Sequence, residues 1–196
     1  MQFVIELERI LEEYLTKTAH TFWDKITESN LIPNRVWLQP TSSSGKYHNK
    51  EGGFVPTIAE HTCEMLRGAV KCMRMFDITK KTSKCDVLLL GIVLHDAYKR
   101  GLDGKGKWTH SKHEDLIADK ILDGKNAFLK FLSPEEVTIL IDIVRFHSGR
   151  WSPASKKGRY EKGDFDFSNH HPYVLFIHSL DMLSSKNCLR LILGDS

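Results

Sequence analysis

No stretch of this sequence approaches the ~18 consecutive apolar residues that a membrane-spanning helix needs. Residues Met1–Leu15 carry four glutamates and no basic start, so they do not read as a secretory leader. Cysteine is scarce, with four in 196 residues (Cys63, Cys72, Cys85 and Cys188) and no CxxC spacing. A disulfide-built scaffold or a thiolate zinc site is therefore excluded, and the four read as reduced core thiols of a cytosolic protein. Net charge is small: 28 basic against 25 acidic residues leave +3 at pH 7, too little to imply nucleic acid by itself. Repeats, low-complexity tracts and the alternation of a β-strand are missing. So is a phosphate-binding P-loop: Ser42–His48 lacks the first glycine and has Tyr47 where Ser or Thr belongs. No serine, cysteine or threonine nucleophile sits in a recognisable motif.

What is present is ordinary globular composition, 41% hydrophobic and 27% charged, at a length that buries one real core. Apolar periodicity predicts helices over Phe3–Glu28, Thr57–Phe76, Asp86–Tyr98, Ser111–Leu122, Pro134–His147 and Pro172–Lys186. The third contains VLLLGIVL, apolar on every side, and so belongs at the centre. The fourth opens on Ser111-Lys-His-Glu114, the pattern of a capping box. Thr41–Gly53 and Ser148–His171 read as loops. The fold class expected is all-α, a single-domain helical bundle, with room for a short irregular hairpin in the 149–167 loop. Residues 1–40 form a helical extension on the core of 41–196. Its apolar face suits packing on that core or on a second copy of the chain, as a homo-oligomer.

Several polar residues fall on the inward stripes. His61 lies three after Ile58 and four before Met65. His95 and Asp96 end the most apolar helix. His147 follows Val144 by three, and Asp181 follows Ile177 by four. An aspartate on a core-facing stripe is costly unless it is paired, hydrogen-bonded or bound to a metal. Helical bundles build metal sites in this way, with ligands drawn from facing helices. Nitrogen and carboxylate donors suit Zn, Mn, Fe or Ni. Taken singly, each has a plainer reading: His61 as a hydrogen-bonded core histidine, Asp181 as half of a salt bridge, His95-Asp96 as a chance dipeptide.

Taken together, His61, then His95-Asp96, then Asp181 resemble the H…HD…D signature of the HD-domain metal-dependent phosphohydrolase superfamily. Three segments carry the likeness over about residues 45–186: Gly52-Gly53 followed by Glu60-His61-Thr62, LLGIVLHDAYK ending on Lys99, and FIHSLDMLSS around Asp181. Two further histidines resemble those of members that hold two metals: His113 in HEDLIADKIL, with His110 as its rival, and His147 in VRFHSG. The resemblance implies a divalent ion, one or two (Mn, Fe, Zn, Ni or Mg). His61, His95, Asp96 and Asp181 would ligate the first, with Asp96 bridging to a second held by His113 and His147. No GYP motif is present, so cyclic-di-GMP hydrolysis of that type is not implied.

The activity implied is hydrolysis of a phosphoester of a nucleotide or a nucleic-acid end by metal-activated water. Asp96 and Lys99 take catalytic roles, and Lys99 also meets substrate phosphate. Lys99 reads equally as a lysine placed at a helix C-terminus by the dipole. Lys46, His48, Arg150 and Trp151 are the other candidate substrate contacts. The loops 99–112 and 150–162 each hold five basic residues and one acid, and Trp108 and Trp151 could stack a base. Plain solvated loops are the alternative reading. A 3′–5′ exonuclease or phosphodiesterase, a non-catalytic nucleotide-sensing HD domain, and a helical interaction module with satisfied core histidines remain as alternatives.

Overall fold

The computed structural model describes residues 2–29, 32–42, 55–153, 165–186, 188 and 189. Its elements are α1 (Gln2–Tyr14), α2 (Lys17–Glu28), α3 (Ile58–Cys72), α4 (Ser83–Leu94), α5 (His113–Asp123), α6 (Lys125–Phe128), α7 (Pro134–Phe146) and α8 (Pro172–Ser185). Short 3₁₀ turns fill Asn34–Leu38, Met73–Phe76, Gly149–Trp151 and Phe167–Asn169. Among the described residues there is no strand, only one isolated antiparallel bridge, Pro40 to Thr57. The fold is all-α.

α4 is the axis. Every residue from Cys85 to Leu94 is buried, which its unbroken apolar run requires. α3, α7 and α8 pack around it, and α5 lies on α7. Gly91 permits the closest approach: a Cβ there would meet Ile143 Cγ2 at 2.7 Å and Ile177 Cδ1 at 3.2 Å. Leu7, Leu11 and Trp23 of the first two helices belong to the same core, so the apolar face of α1 is covered within the chain, against α3. No described helix is long and apolar enough to cross a membrane.

The periodicity of Phe3–Glu28 is divided by a break at Leu15–Thr16. Thr16 caps α2 by accepting from the Ala19 N–H at 3.2 Å. It also donates its own N–H and hydroxyl to the two carboxylate oxygens of buried Asp86, at 2.8 and 2.6 Å. A partner 70 residues away, invisible to local pattern, ends the first helix.

Three other boundaries move. The Ser111–Glu114 capping box does not form; α5 starts at His113, whose N–H and Nδ1–H both turn back to the His110 carbonyl, at 3.2 and 3.0 Å. A capping box does form at Ser133–Glu136, ahead of α7. The helix drawn over Asp86–Tyr98 begins at Ser83, capped by the Thr82 hydroxyl, and gives way after Leu94 to tight turns. Of the four thiols, Cys63 and Cys85 are in the core, while Cys72 and Cys188 are only half-buried; all four are free. The 149–167 loop begins as a 3₁₀ turn at Gly149–Trp151 and ends entering another at Phe167; residues 154–164, where the expected hairpin would lie, are outside the described residues. So do Lys46 and His48.

Candidate metal centre

Five helices deliver side chains to one buried spot. His61 comes from the first turns of α3, a helix started by the Thr57 hydroxyl, which accepts from the Glu60 N–H. The same start is held by Ile58 N–H donating to the Gln39 carbonyl at 2.8 Å. His95 and Asp96 lie in the turn where α4 ends, His113 opens α5, and His147 caps α7. Asp181 projects from α8. His61, His95, Asp96, His113 and His147 are all buried.

The ring protons of the four histidines are spoken for. His95 Nδ1–H donates to the Ile92 carbonyl at 2.6 Å, His147 Nδ1–H to Val144 at 2.9 Å, and His113 Nδ1–H to His110 at 3.0 Å. A carbonyl only accepts, so Nδ1 is the protonated nitrogen in each. For His95 and His147 the acceptor is one of the carbonyls that the end of their own helix leaves unpaired. His61 reaches the same state differently. Ser184 Oγ donates its single proton to Glu64 Oε2 at 2.9 Å and therefore accepts from His61 Nδ1–H, also at 2.9 Å. All four Nε2 atoms are thereby left as lone-pair donors when the rings are neutral, the tautomer that ligation through Nε2 requires.

Those atoms face one another and two carboxylates. His61 Nε2 is 3.3 Å from His95 Nε2 and 3.1 Å from Asp181 Oδ1. Asp96 Oδ2 lies 3.4 Å from His95 Nε2. Asp96 Oδ1 lies 3.3 Å from His113 Nε2 and 3.7 Å from His147 Nε2. Asp96 Oδ1 and His113 Nε2 are buried without a hydrogen-bond partner, and lone pairs in such contact are stable only with a proton or a cation between them. The donors fall into overlapping triads, each with its atoms within 4.8 Å of one another: His61-His95-Asp181, His95-Asp96-His147 and His113-Glu114-His147. The donor set fits one or two divalent ions, with Asp96 in the triad that shares His95 with the first and His147 with the third.

Electrostatics follow the geometry. Burial works against ionisation of Asp96, but Lys99 and His95 outweigh it and hold the carboxyl well below its usual range. Burial likewise opposes charge on Asp181 and is outweighed by His61 and His95. His147 moves the other way: burial and neighbouring His95 push it down to about 3, so it is neutral at pH 7. His95 and His113 resist protonation through burial, yet Asp96 beside His95, and Glu114 and Asp96 beside His113, raise both.

Lys99 sits on the cluster, its ammonium 2.5 Å from Asp96 Oδ2. His113, not His110, enters the centre; His110 is exposed and accepts from the Lys112 N–H. Arg150 and Trp151, three and four residues after His147, are exposed, Trp151 by 45%; Trp108 is 61% exposed beneath the Lys107 ammonium.

The chain matches no family model, no curated protein and no solved structure. Geometry alone therefore adds residues to those that periodicity found. Glu114 is buried and completes a triad with His113 and His147. Glu64 and Ser184 orient His61 from behind. His178, one turn before Asp181, donates Nδ1–H to the His147 carbonyl at 2.6 Å. Gly149, at φ +57°, turns the chain away so that this contact can form; a Cβ there would meet His178 Cε1 at 3.1 Å. Arg100 is fully buried and donates to the Lys107 carbonyl at 2.9 Å and to the Pro40 carbonyl. It ties the segment before α3 to the loop before α5. Glu64 and Glu114 carried a signal, since each is a charged residue inside a stretch of core; Ser184 and Arg100 carried none.

Proposed function

We propose that this chain is a metal-dependent phosphohydrolase of the HD type, acting on a phosphoester of a nucleotide or a nucleic-acid end. One observation carries the reading: four imidazole Nε2 atoms and two aspartates converge in the core while every ring proton is committed elsewhere. Such a constellation is expensive to bury for structural reasons alone. His61, His95, Asp96 and Asp181 would hold one ion, and Asp96, His113 and His147 a second, with Glu114 within reach of it. An ion so held acidifies water towards neutral pH and draws charge from a phosphoryl group.

The chain's own groups supply the rest. Asp96 shares its carboxylate between the two halves of the cluster, which sets their spacing. The Lys99 ammonium, already on Asp96 Oδ2, would meet a non-bridging phosphate oxygen and offset its charge. The two loops that leave the cluster present exposed cations and indoles: Lys105, Lys107 and Trp108 between Asp96 and His113, and Arg150 and Trp151 after His147. On this reading phosphate and base recognition fall to those loops and, from the sequence alone, to Lys46 and His48.

Metal analysis of the purified protein tests the reading, together with a hydrolysis panel of nucleoside mono-, di- and triphosphates and short oligonucleotides under Mn²⁺, Mg²⁺, Ni²⁺ and Zn²⁺. Turnover that disappears in His95→Ala and Asp96→Ala is expected. Bound metal without turnover on any substrate would point instead to a nucleotide sensor, and absence of both would remove the metal reading.

A further inference from the structure

Away from the central cluster, α1 and α2 bring together three donors of another set. His20 and Asp24 stand one turn apart on α2, with Nδ1 3.3 Å from Asp24 Oδ2. Glu8 faces them from α1, and one donor atom from each of the three lies within 4.8 Å of the others. Zinc bonds of about 2.0–2.1 Å to nitrogen and oxygen set the edge between tetrahedral ligands at about 3.3 Å. The His20–Asp24 pair already has that separation. Glu8 would need to close by at most about 1.5 Å, within the reach of its side-chain torsions.

Glu8 is also held as a ligand would be. The indole N–H of fully buried Trp23 donates to its two oxygens at 3.1 and 3.0 Å. That contact anchors the carboxylate to α2, and its oxygens keep acceptor capacity beyond the one shared N–H, an outer contact typical of ligands. His20 and Asp24 keep 27% and 47% of their side-chain surface exposed, which provides an entry route and room for a water as fourth ligand.

We propose that Glu8, His20 and Asp24 form a separate divalent-cation site that clips α1 to α2. One nitrogen and two carboxylates select a borderline ion, Zn²⁺ ahead of Mg²⁺. The clip joins the two arms of a hairpin whose bend, at Thr16, is fastened to Asp86 of α4. Occupancy would therefore stiffen the N-terminal helices against the element that ends in His95 and Asp96.

Equilibrium dialysis of the 196-residue chain against Zn²⁺, paired with the visible spectrum of the Co²⁺ form, tests this site. His20→Ala and Asp24→Asn are expected to bind one equivalent fewer than the parent chain, to lose part of the tetrahedral Co²⁺ absorption, and to show a smaller rise in Tm with Zn²⁺. His95→Ala should retain the equivalent that His20→Ala loses, which separates this site from the central one. Both replaced side chains are partly exposed, so helical content by circular dichroism should be unchanged. Equal Zn²⁺ stoichiometry and an equal Tm rise in the parent chain and in both α2 variants would overturn the proposal.

Discussion

Replacing Ser184 by alanine removes one hydroxyl that serves two buried partners, and its effect can be worked out in advance. Ser184 Oγ gives its proton to Glu64 and accepts the Nδ1 proton of His61, both at 2.9 Å. No atom of Ser184 belongs to the ligand set, so the first effect is on the orientation and tautomer of His61. Outer-shell losses of this kind weaken metal binding by about 10- to 100-fold, or about 1.4–2.7 kcal/mol. A second effect falls on the fold: a buried carboxylate loses a donor, at roughly 1–3 kcal/mol. Mn²⁺ titration by calorimetry measures the first, and urea unfolding with chelator the second. Ser185→Ala is the control, because that hydroxyl donates only along its own helix, to the Met182 carbonyl. If Ser184→Ala binds Mn²⁺ as tightly as the parent chain, His61 is not held through this relay and the tautomer assignment fails.

Other consequences follow from the same geometry. In metal-free protein, burial opposes protonation of His95 and His113 but their carboxylate neighbours outweigh it and raise both, so a cation at either Nε2 competes with a proton. Metal binding at neutral pH should therefore release protons and weaken as pH falls; a calorimetric heat that does not vary with buffer ionisation enthalpy contradicts this. Gly91→Ala gains about 1 kcal/mol of helix propensity but drives a methyl into Ile143, an overpacking cost of up to about 3 kcal/mol. The variant should be about 2 kcal/mol less stable by urea titration, and a variant as stable as the parent refutes the close α4–α7 contact. Burial pushes the Cys63 and Cys85 thiols up to about 12 from 9.0, about a thousandfold less thiolate at mildly alkaline pH. Iodoacetamide should label half-buried Cys72 and Cys188 and spare these two in the folded chain, as read by peptide mass spectrometry.

The residues that reach the centre were legible where helical periodicity applied. His61, His147 and Asp181 each sit three or four positions from core aliphatics, and burial of one implies burial of the other. Asp96 was legible because it follows the longest apolar run. What periodicity could not reach is pairing across distance. The break at Thr16 depends on Asp86, 70 residues on. The hold on His61 depends on Ser184, 123 residues away, and serine is too common on helices to stand out. The Ser111 cap does not form: the helix starts two residues later, behind Lys112, and His113 turns its N–H and Nδ1–H to the His110 carbonyl, a local backbone path that spacing does not register.

Diffraction from crystals grown with Mn²⁺, read at an energy where manganese scatters anomalously, puts the central claim to its most direct test. A peak bounded by His61, His95, Asp96 and Asp181 is the result predicted, with a second between Asp96, His113 and His147 if two ions are held. A clean map with no peak among these six side chains, at saturating Mn²⁺, would contradict it.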